Sequence, residues 1–352
     1  MQHRRARLRH YPAAGSLNVN LDALAQGLRD SRGVAHKRDI AEVVSTLGIA
    51  DPQAVIAVGD DCAAIPDGDG YLLLAIEGFF NEFVSAEAYF AGWCGVMVNA
   101  SDIYAMGGRP LAVVDALWSN GAERGKPVLE GLAAAARTYG VPVVGGHSNV
   151  RCDREQFSVA ILGRARKLLS SFDARPGDVL LAVTDLRGRY REHFSNWDAS
   201  SGSDAQRLRG DLELLPLIAE AGLCRAAKDI SQAGLLGTLL MLLECSGIGA
   251  TVEPGRVPMP SDVSAERWLL HTFPSYGFLL AVPPANAAAV ISRFAARDLA
   301  CAAIGVCEAR RELRLRDGAG EVLAWDFEQS ALIGCGPAIP PSLAPEPETS
   351  HA

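Results

Sequence analysis

The 352-residue sequence lacks the motifs by which many nucleotide-binding and hydrolytic enzymes are recognised. It contains no GxxxxGK[ST] phosphate loop, no GxGxxG dinucleotide fingerprint, no HExxH zinc motif and no GxSxG nucleophile elbow. Its eight cysteines include no CxxC pair, which argues against a structural zinc site. Because scattered thiols in a chain of this size are typical of a reducing compartment, we expect a cytoplasmic protein.

Long apolar runs and a surplus of basic residues are also missing. No apolar run reaches the roughly 18 residues that a membrane span requires. The formal net charge is -8, whereas nucleic-acid-binding proteins usually present a basic surface. The sequence therefore predicts neither a membrane nor a nucleic acid as a partner. An acidic protein that binds an acidic nucleotide commonly does so through a divalent cation.

Length and composition predict two domains. The sequence is 49% hydrophobic, which supplies a large core, and its length exceeds that of a typical single domain. A turn-rich stretch around Ser170 and Ser171 marks the predicted boundary. The predicted segments are a weakly ordered N-terminal stretch (residues 1–34), a first domain (35–170), a second domain (171–336) and a disordered, proline-rich tail (337–352).

The pattern of apolar residues predicts an α+β protein. In the first domain it favours strands at residues 54–58, 71–76 and 141–144 and a long helix at 87–106 that ends before Gly107 and Gly108. The second domain mixes short strands and helices in the same way. Because both domains combine hairpin-like and crossover connections, a doubly wound parallel sheet is not expected.

Carboxylates stand at the ends of two predicted strands in the first domain. Asp60 and Asp61 follow Gly59 at the end of the first strand, and Glu77 ends the second. Adjacent carboxylates repel each other unless they are solvated or bridged by a cation, and magnesium prefers carboxylates together with substrate phosphates. The alternative is an ordinary Gly-Asp-Asp turn, and Glu77 taken alone is typical of a surface acid.

Polar residues in apolar surroundings extend this set. Asn99 and Asp102 lie three residues apart, on one face of the predicted long helix. Their apolar neighbours mean that both need polar partners, which are either a ligand or a core hydrogen bond. Asp229 ends a strand before a glycine-rich helix start, where it is either a helix cap or a metal ligand.

A histidine follows two glycines after the strand predicted at residues 141–144. In the segment Gly145-Gly146-His147-Ser148, the glycines allow the backbone to approach a ligand, and successive N–H groups can bind an anion. His147 is either a functional residue there or an ordinary loop or core histidine.

Five segments, taken in order, resemble the aminoimidazole ribonucleotide synthetase superfamily. Residues 59–65 are similar to thiamine-monophosphate kinases, and residues 99–110 to a stretch shared by those kinases and selenophosphate synthetases. Residues 145–148, 229–237 and 246–250 are similar to selenophosphate synthetases. The resemblance runs from about residue 59 to residue 334, which is most of the chain.

This resemblance implies a fold and a set of ligands. It implies two α/β domains, of which the first pairs with a second copy to form a dimeric β-barrel and the second is a mixed α/β sandwich. It also implies ATP and Mg²⁺ as cofactors and a small metabolite as substrate. In terms of this sequence, the expected magnesium ligands are Asp60, Asp61, Glu77, Asp102 and Asp229, the expected nucleotide-binding residues are Asn99, Gly145, Gly146 and Ser148, and the expected catalytic residues are Asp61, His147 and Asp229.

Two features depart from the family pattern. Glu77 stands where an aspartate is usual, which changes the reach of the carboxylate. Selenophosphate synthetases carry a reactive cysteine or selenocysteine near a glycine-rich N-terminus, whereas this chain has no cysteine before Cys62. We therefore do not expect selenophosphate synthesis.

The predicted function is ATP-dependent and Mg²⁺-dependent phosphoryl transfer to a small metabolite. One alternative is a thiamine-monophosphate kinase proper, which residues 59–61 favour and His147 disfavours. The other is a non-catalytic nucleotide-binding partner of biosynthetic enzymes, which the departure at Glu77 would fit.

Overall fold

A computed structural model describes residues 19–49 and 58–336. The helices are α1 (Leu21–Arg29), α2 (Arg32–Leu47), α3 (Asn81–Ala86), α4 (Ala88–Ala105), α5 (Ala122–Tyr139), α6 (Ala205–Leu212), α7 (Leu214–Glu220), α8 (Gly234–Ser246), α9 (Ala265–Leu270) and α10 (Pro284–Ala295). The strands are β1 (Ala63–Asp67), β2 (Gly70–Phe79), β3 (Arg109–Asn120), β4 (Val143–Asn149), β5 (Arg151–Ala165), β6 (Val179–Thr184), β7 (Arg189–Tyr190), β8 (Asn196–Asp198), β9 (Ala226–Asp229), β10 (Gly249–Val252), β11 (Phe273–Pro274), β12 (Gly277–Val282), β13 (Ala300–Glu308), β14 (Glu312–Arg316) and β15 (Glu321–Asp326).

The chain forms two domains of mixed α and β structure, as predicted. The first contains a five-stranded sheet in the order β1-β2-β5-β3-β4, and the second a seven-stranded sheet in the order β15-β14-β10-β13-β6-β12-β9. Only the β3–β4 pair of the first sheet is parallel. Both sheets mix hairpins with crossovers, which agrees with the α+β prediction. Residues 54–57 of the strand predicted at 54–58, and the tail at 337–352, lie outside the described residues.

Helix α4 forms the centre of the first domain. All of its residues from Phe90 to Ala105 are buried, between the sheet and α5. Gly92 allows the two helices to approach closely, since a Cβ at this position would lie 1.8 Å from the Val128 carbonyl oxygen. The helix ends as predicted, because Gly107 adopts the left-handed conformation, with φ of 74°.

The other face of the first sheet is apolar and exposed in the single chain. Alternate residues of β2 point to this face, and the side chains of Leu74 and Ile76 are 47% and 69% exposed. Leu162 of β5 pairs with Leu74, and Val114 of β3 also lies exposed on this side. The sequence predicts that residues 72–76 need cover on both faces, and the chain itself supplies cover on only one.

The N-terminal segment is more ordered than expected. We predicted weak order for residues 1–34, but α1 occupies 21–29 and α2 begins at Arg32. Helix α1 is amphipathic, with Leu24 and Leu28 buried, and the Asn20 side chain accepts a hydrogen bond from the backbone N–H of Ala23. It packs against β15, so that burial on the second domain stabilises it. No helix of residues 19–49 or 58–336 is long and apolar enough to cross a membrane.

Candidate active site

A cavity of about 640 Å³ lies where the two domains and α2 meet. The first domain contributes Asp61, Glu77 and Asp102 to its lining, and the second contributes Lys228 and Asp229. The volume falls in the range typical of small-molecule sites. The residues that line the cavity decide what it can bind.

Three carboxylates converge in this cavity. One oxygen from each of Asp61, Asp102 and Asp229 lies within 4.8 Å of the other two. Asp61 precedes β1, Asp102 stands in the last turn of α4, and Asp229 is the last residue of β9. The side chain of Asp61 is 5% exposed, and Asp102 and Asp229 are 5% and 4% exposed. We call these three residues the acidic cluster.

The electrostatics of the acidic cluster are unfavourable without a cation. Burial raises the pKa of Asp102 well above its usual value, and the charges of Asp229, Glu77 and Asp61 raise it further. Burial likewise raises the pKa of Asp229, with the next contribution from Asp61. The position of Asp102 in the last turn of α4 adds to the cost, because the C-terminal end of a helix repels negative charge.

Lys228 is the cation nearest to the acidic cluster. Its Nζ lies 2.5 Å from Oδ1 of Asp61, and both side chains are buried. The backbone N–H of Asp229 donates to Oδ2 of the same carboxylate at 3.3 Å. Burial still raises the pKa of Asp61, although Lys228 lowers it. One lysine thus offsets one of three carboxylates and leaves the other two to be neutralised by protons or by a metal.

The donor set of the acidic cluster fits a hard divalent cation. All three groups offer carboxylate oxygens, which are the ligands that Mg²⁺ and Ca²⁺ prefer, and none offers sulfur or imidazole. Their mutual spacing allows one ion to reach an oxygen of each residue.

Asp60 does not belong to the acidic cluster. Its carboxylate accepts hydrogen bonds from the Ser170 hydroxyl at 2.9 Å, from the Ser171 backbone N–H at 2.8 Å and from the Ser171 hydroxyl at 2.6 Å. These bonds tie the start of the first domain to the segment that leads into the second. Asp60 also lines the cavity, so the structure shows an anchoring contact there, and magnesium ligation by Asp60 stays a prediction.

Glu77 lines the cavity but stands apart from the three close carboxylates. Strand β1 begins after Asp61, and Ala63 pairs with Leu74. Asp61, which precedes β1, and Glu77, near the end of β2, line the same cavity. Burial raises the pKa of Glu77 and Asp61 raises it further, while Lys37 lowers it.

Asn99 is engaged by the protein backbone. Its Nδ2 donates to the carbonyl oxygens of Gly95 at 2.8 Å and Val159 at 3.1 Å. Its Oδ1 is buried and has no hydrogen-bond partner among the described residues. Asn99 is not among the described residues that line the cavity, so the geometry favours the core hydrogen bond over the nucleotide contact.

The glycine-histidine segment lies within a strand, whereas we expected it to follow one. Gly145, Gly146, His147 and Ser148 belong to β4, the edge strand of the first sheet. A Cβ at position 146 would lie 2.3 Å from Oδ1 of Asp115, which explains the glycine there without a ligand. None of the four is among the described residues that line the cavity, and the single chain does not bring His147 to the acidic cluster.

Sequence reasoning gave no binding role to four basic residues of the cavity. Lys228 precedes Asp229 in a short apolar strand, where a buried lysine already signals a charge partner. Arg32, His36 and Lys37 reach the cavity from α2, which lies in or next to the stretch expected to be weakly ordered. Their spacing on one helix face was the available signal.

Comparison with known sequences agrees with this architecture. Residues 59–165 match the profile of the AIR synthase related protein, N-terminal domain, and residues 175–318 match that of the C-terminal domain. The chain belongs to the AIR synthase related family. This confirms the resemblance drawn from the five segments.

Family relatives cover nearly the whole chain. Uncharacterized protein sll0787 of Synechocystis sp. is 44% identical over 312 residues, which are 87% of this chain and 96% of that protein. Uncharacterized protein MJ0640 of Methanocaldococcus jannaschii is 31% identical over 325 residues, which are 90% and 100% of the two chains. Among solved structures, Thermotoga maritima PurL complexed with ATP has a TM-score of 0.70 at 20% identity. That match covers 91% of this chain and 53% of the PurL chain and shows a shared fold.

Proposed function

We propose that this protein is an ATP-dependent, Mg²⁺-dependent enzyme that transfers a phosphoryl group to a small metabolite. The observation that carries the proposal is the acidic cluster, in which Asp61, Asp102 and Asp229 from two domains meet inside one cavity. The match to PurL, solved with ATP, supports a nucleotide as the ligand. A cluster made by both domains would couple nucleotide binding to their relative position.

The acidic cluster would hold magnesium, which would neutralise the phosphate charges during transfer. Lys228 fixes the carboxylate of Asp61, so that its second oxygen has a defined direction. Asp60 holds the inter-domain segment through Ser170 and Ser171 and thereby sets where Asp61 lies. The protein thus contributes positioning and charge neutralisation, which are the main requirements of phosphoryl transfer.

The exposed apolar face of the first sheet supports a homodimer. Leu74, Ile76, Val114 and Leu162 form this face, and a second copy of the chain would cover it. Such a pairing of two sheets is the dimeric barrel that the family resemblance implies. Covering this face would also enclose His147 and Gly145, whose register positions lie on the same side as Val114.

Calorimetry tests whether the protein binds ATP and whether that binding depends on Mg²⁺ and on Asp61. We expect ATP to bind the wild-type protein in the presence of Mg²⁺ and at least tenfold more weakly in its absence or in Asp61→Asn. Asp69→Asn is the matched control, because Asp69 lies in the exposed turn between β1 and β2. Equal ATP affinity in all four measurements would contradict the proposal.

Turnover separates an enzyme from a nucleotide-binding partner. We expect slow ATP hydrolysis by the isolated protein that requires Mg²⁺ and is lost in Asp229→Asn. ATP binding without any turnover, alone or with candidate acceptors, would instead favour the non-catalytic alternative.

A further inference from the structure

One face of α2 lines the cavity. Arg32, Gly33, His36, Lys37 and Ile40 all contribute to the lining. Residues four positions apart lie on the same side of a helix, and these five form one continuous stripe. We call them the α2 stripe.

The position of the α2 stripe is fixed by a close backbone contact. A Cβ at Gly33 would lie 2.7 Å from the carbonyl oxygen of Gln232 and 2.8 Å from the Cα of Ala233. These residues belong to the segment between Asp229 and α8. The helix therefore rests directly on the segment that follows the acidic cluster, and any larger residue at position 33 would displace it.

The cations of the α2 stripe face the carboxylates without neutralising them directly. Lys37 and Arg32 line the same cavity as Glu77 and Asp229. Among the described residues, no carboxylate oxygen comes within 4.0 Å of Lys37 or Arg32, whereas Lys228 contacts Asp61 at 2.5 Å. Lys37 and Arg32 thus line the cavity and form no ion pair with a described residue, which leaves their donors available to a ligand.

An aromatic wall stands beside the α2 stripe. The cavity lining includes Phe79, Phe80, Phe83, Phe194 and Phe273. The His36 ring lies 5.8 Å from that of Phe80, and Phe83 and Phe194 pack edge to face at 4.9 Å. Aromatic faces of this kind favour a flat apolar group.

We propose that the α2 stripe and the aromatic wall bind the phosphoryl acceptor, and that this acceptor is an organic anion with a planar apolar body. The inference rests on the proposed function, since it assigns the acidic cluster to the metal and the nucleotide phosphates. The cationic wall then takes the anionic group of the second ligand, a phosphate ester or a carboxylate. Without such cations, two anionic ligands in one acidic cavity would repel each other.

Three small probes test this assignment in the presence of Mg²⁺ and a saturating ATP analogue with a methylene bridge between the β- and γ-phosphates. By calorimetry, we expect phenyl phosphate to bind at least tenfold more tightly than inorganic phosphate, because only the former reaches the aromatic wall. Benzoate shows whether the site takes carboxylates as well. We expect Lys37→Gln to weaken phenyl phosphate binding by about tenfold, through loss of a charge-assisted hydrogen bond.

Arg38→Gln is the matched control. This substitution removes the same charge from the same helix. The Arg38 side chain, however, lies over the Trp325 ring at 5.3 Å and is not among the described residues that line the cavity. Equal phenyl phosphate affinity in Lys37→Gln and the wild type, or equal losses in Lys37→Gln and Arg38→Gln, would overturn the inference. So would a parallel loss of affinity for the ATP analogue in Lys37→Gln, since the stripe would then bind the nucleotide.

The same measurements distinguish the two proposals. If the wild-type protein does not bind the ATP analogue, the proposed function fails. In that case, titration of phenyl phosphate alone against the wild type, Lys37→Gln and Arg38→Gln still decides whether the α2 stripe binds an organic anion.

Discussion

Buried carboxylates occur in two regions of this molecule, and the regions differ in how many cations contact those carboxylates. In the second domain, Asp185 and Asp211 are 2% and 1% exposed. Three arginines meet them: Arg297 contacts Asp211 at 2.5 Å, Arg187 contacts Asp185 at 2.7 Å, and Arg207 contacts Asp185 at 2.9 Å. We call this group the arginine network. In the acidic cluster, a single lysine, Lys228, forms an ion pair with only one of the three carboxylates.

The difference lies in what acts on each carboxylate besides burial. Burial raises the pKa of Asp211 above its ordinary value, although Arg297, Arg187 and Arg207 each act to lower it. Burial raises the pKa of Asp102, and the other acids raise it further. A network with more cations than carboxylates is satisfied within the chain and stabilises the fold. A cluster with too few cations needs a bound ligand to neutralise its carboxylates. Buried charges of this kind are typical of functional sites.

Breaking the arginine network should have the largest effect on stability. We expect Asp211→Asn to lower the free energy of unfolding by about 3 kcal/mol, because it removes the shared acceptor of three partly buried guanidinium groups. Urea denaturation measures the loss, and added Mg²⁺ should not reverse it. Asp153→Asn serves as the control, since Asp153 forms an exposed ion pair with Arg154. A loss below 1 kcal/mol would mean that the network contributes little.

Removing the lysine of the acidic cluster should cost less and should depend on metal. We expect Lys228→Met to lower the free energy of unfolding by about 2 kcal/mol at neutral pH, since Asp61 can take up a proton in place of its partner. Unlike the loss in Asp211→Asn, this loss should shrink when Mg²⁺ is added, because the metal replaces the missing positive charge. Identical responses of the two variants to Mg²⁺ would remove the distinction between the two regions.

Removing one carboxylate of the acidic cluster should stabilise the metal-free protein. A folded-state pKa raised above the ordinary value of 3.8 means that the cluster favours folding at low pH and that this contribution is lost as the pH rises through the folded pKa. We therefore expect Asp102→Asn to raise the free energy of unfolding by about 1 kcal/mol at pH 7.5 without metal. The gain over wild type should disappear as the pH approaches 4. A gain that does not vary with pH would point to packing instead.

The sequence was sufficient to predict the elements of the site but not their arrangement. The helix predicted at residues 87–106 is α4, and its period identified Asp102 as a polar residue in an apolar helix. What brings Asp102 to Asp61 and Asp229 is the packing of two domains, and no local pattern encodes it. Strand β1 was also missed, because Ala63–Asp67 is short and contains a proline.

Two other predictions, for α2 and for residues 145–146, failed because the local sequence pattern was weak or misleading. Helix α2 contains glycine and several charged residues, so its apolar periodicity is weak. The helix face that lines the cavity becomes recognisable only once the cavity is known. The glycines at 145 and 146 are typical of a loop, yet they occur in a strand because β4 is an edge strand and Gly146 must leave room for Asp115. In both places tertiary contacts outweigh local preference.

The smallest expected effect is that of Glu77→Asp, at a residue that borders the acidic cluster without joining it. Because its carboxylate lies outside the close group of Asp61, Asp102 and Asp229, we expect it to tune the site by its charge rather than as a fixed ligand. Glu77→Asp keeps the charge and should change Mg²⁺-dependent ATP affinity by less than about threefold, whereas Glu77→Gln should weaken it by about tenfold. Calorimetry with both variants distinguishes the effect of the negative charge at position 77 from the effect of side-chain length. If Glu77→Asp loses as much affinity as Glu77→Gln, the longer side chain is itself a metal ligand, and the acidic cluster has four members.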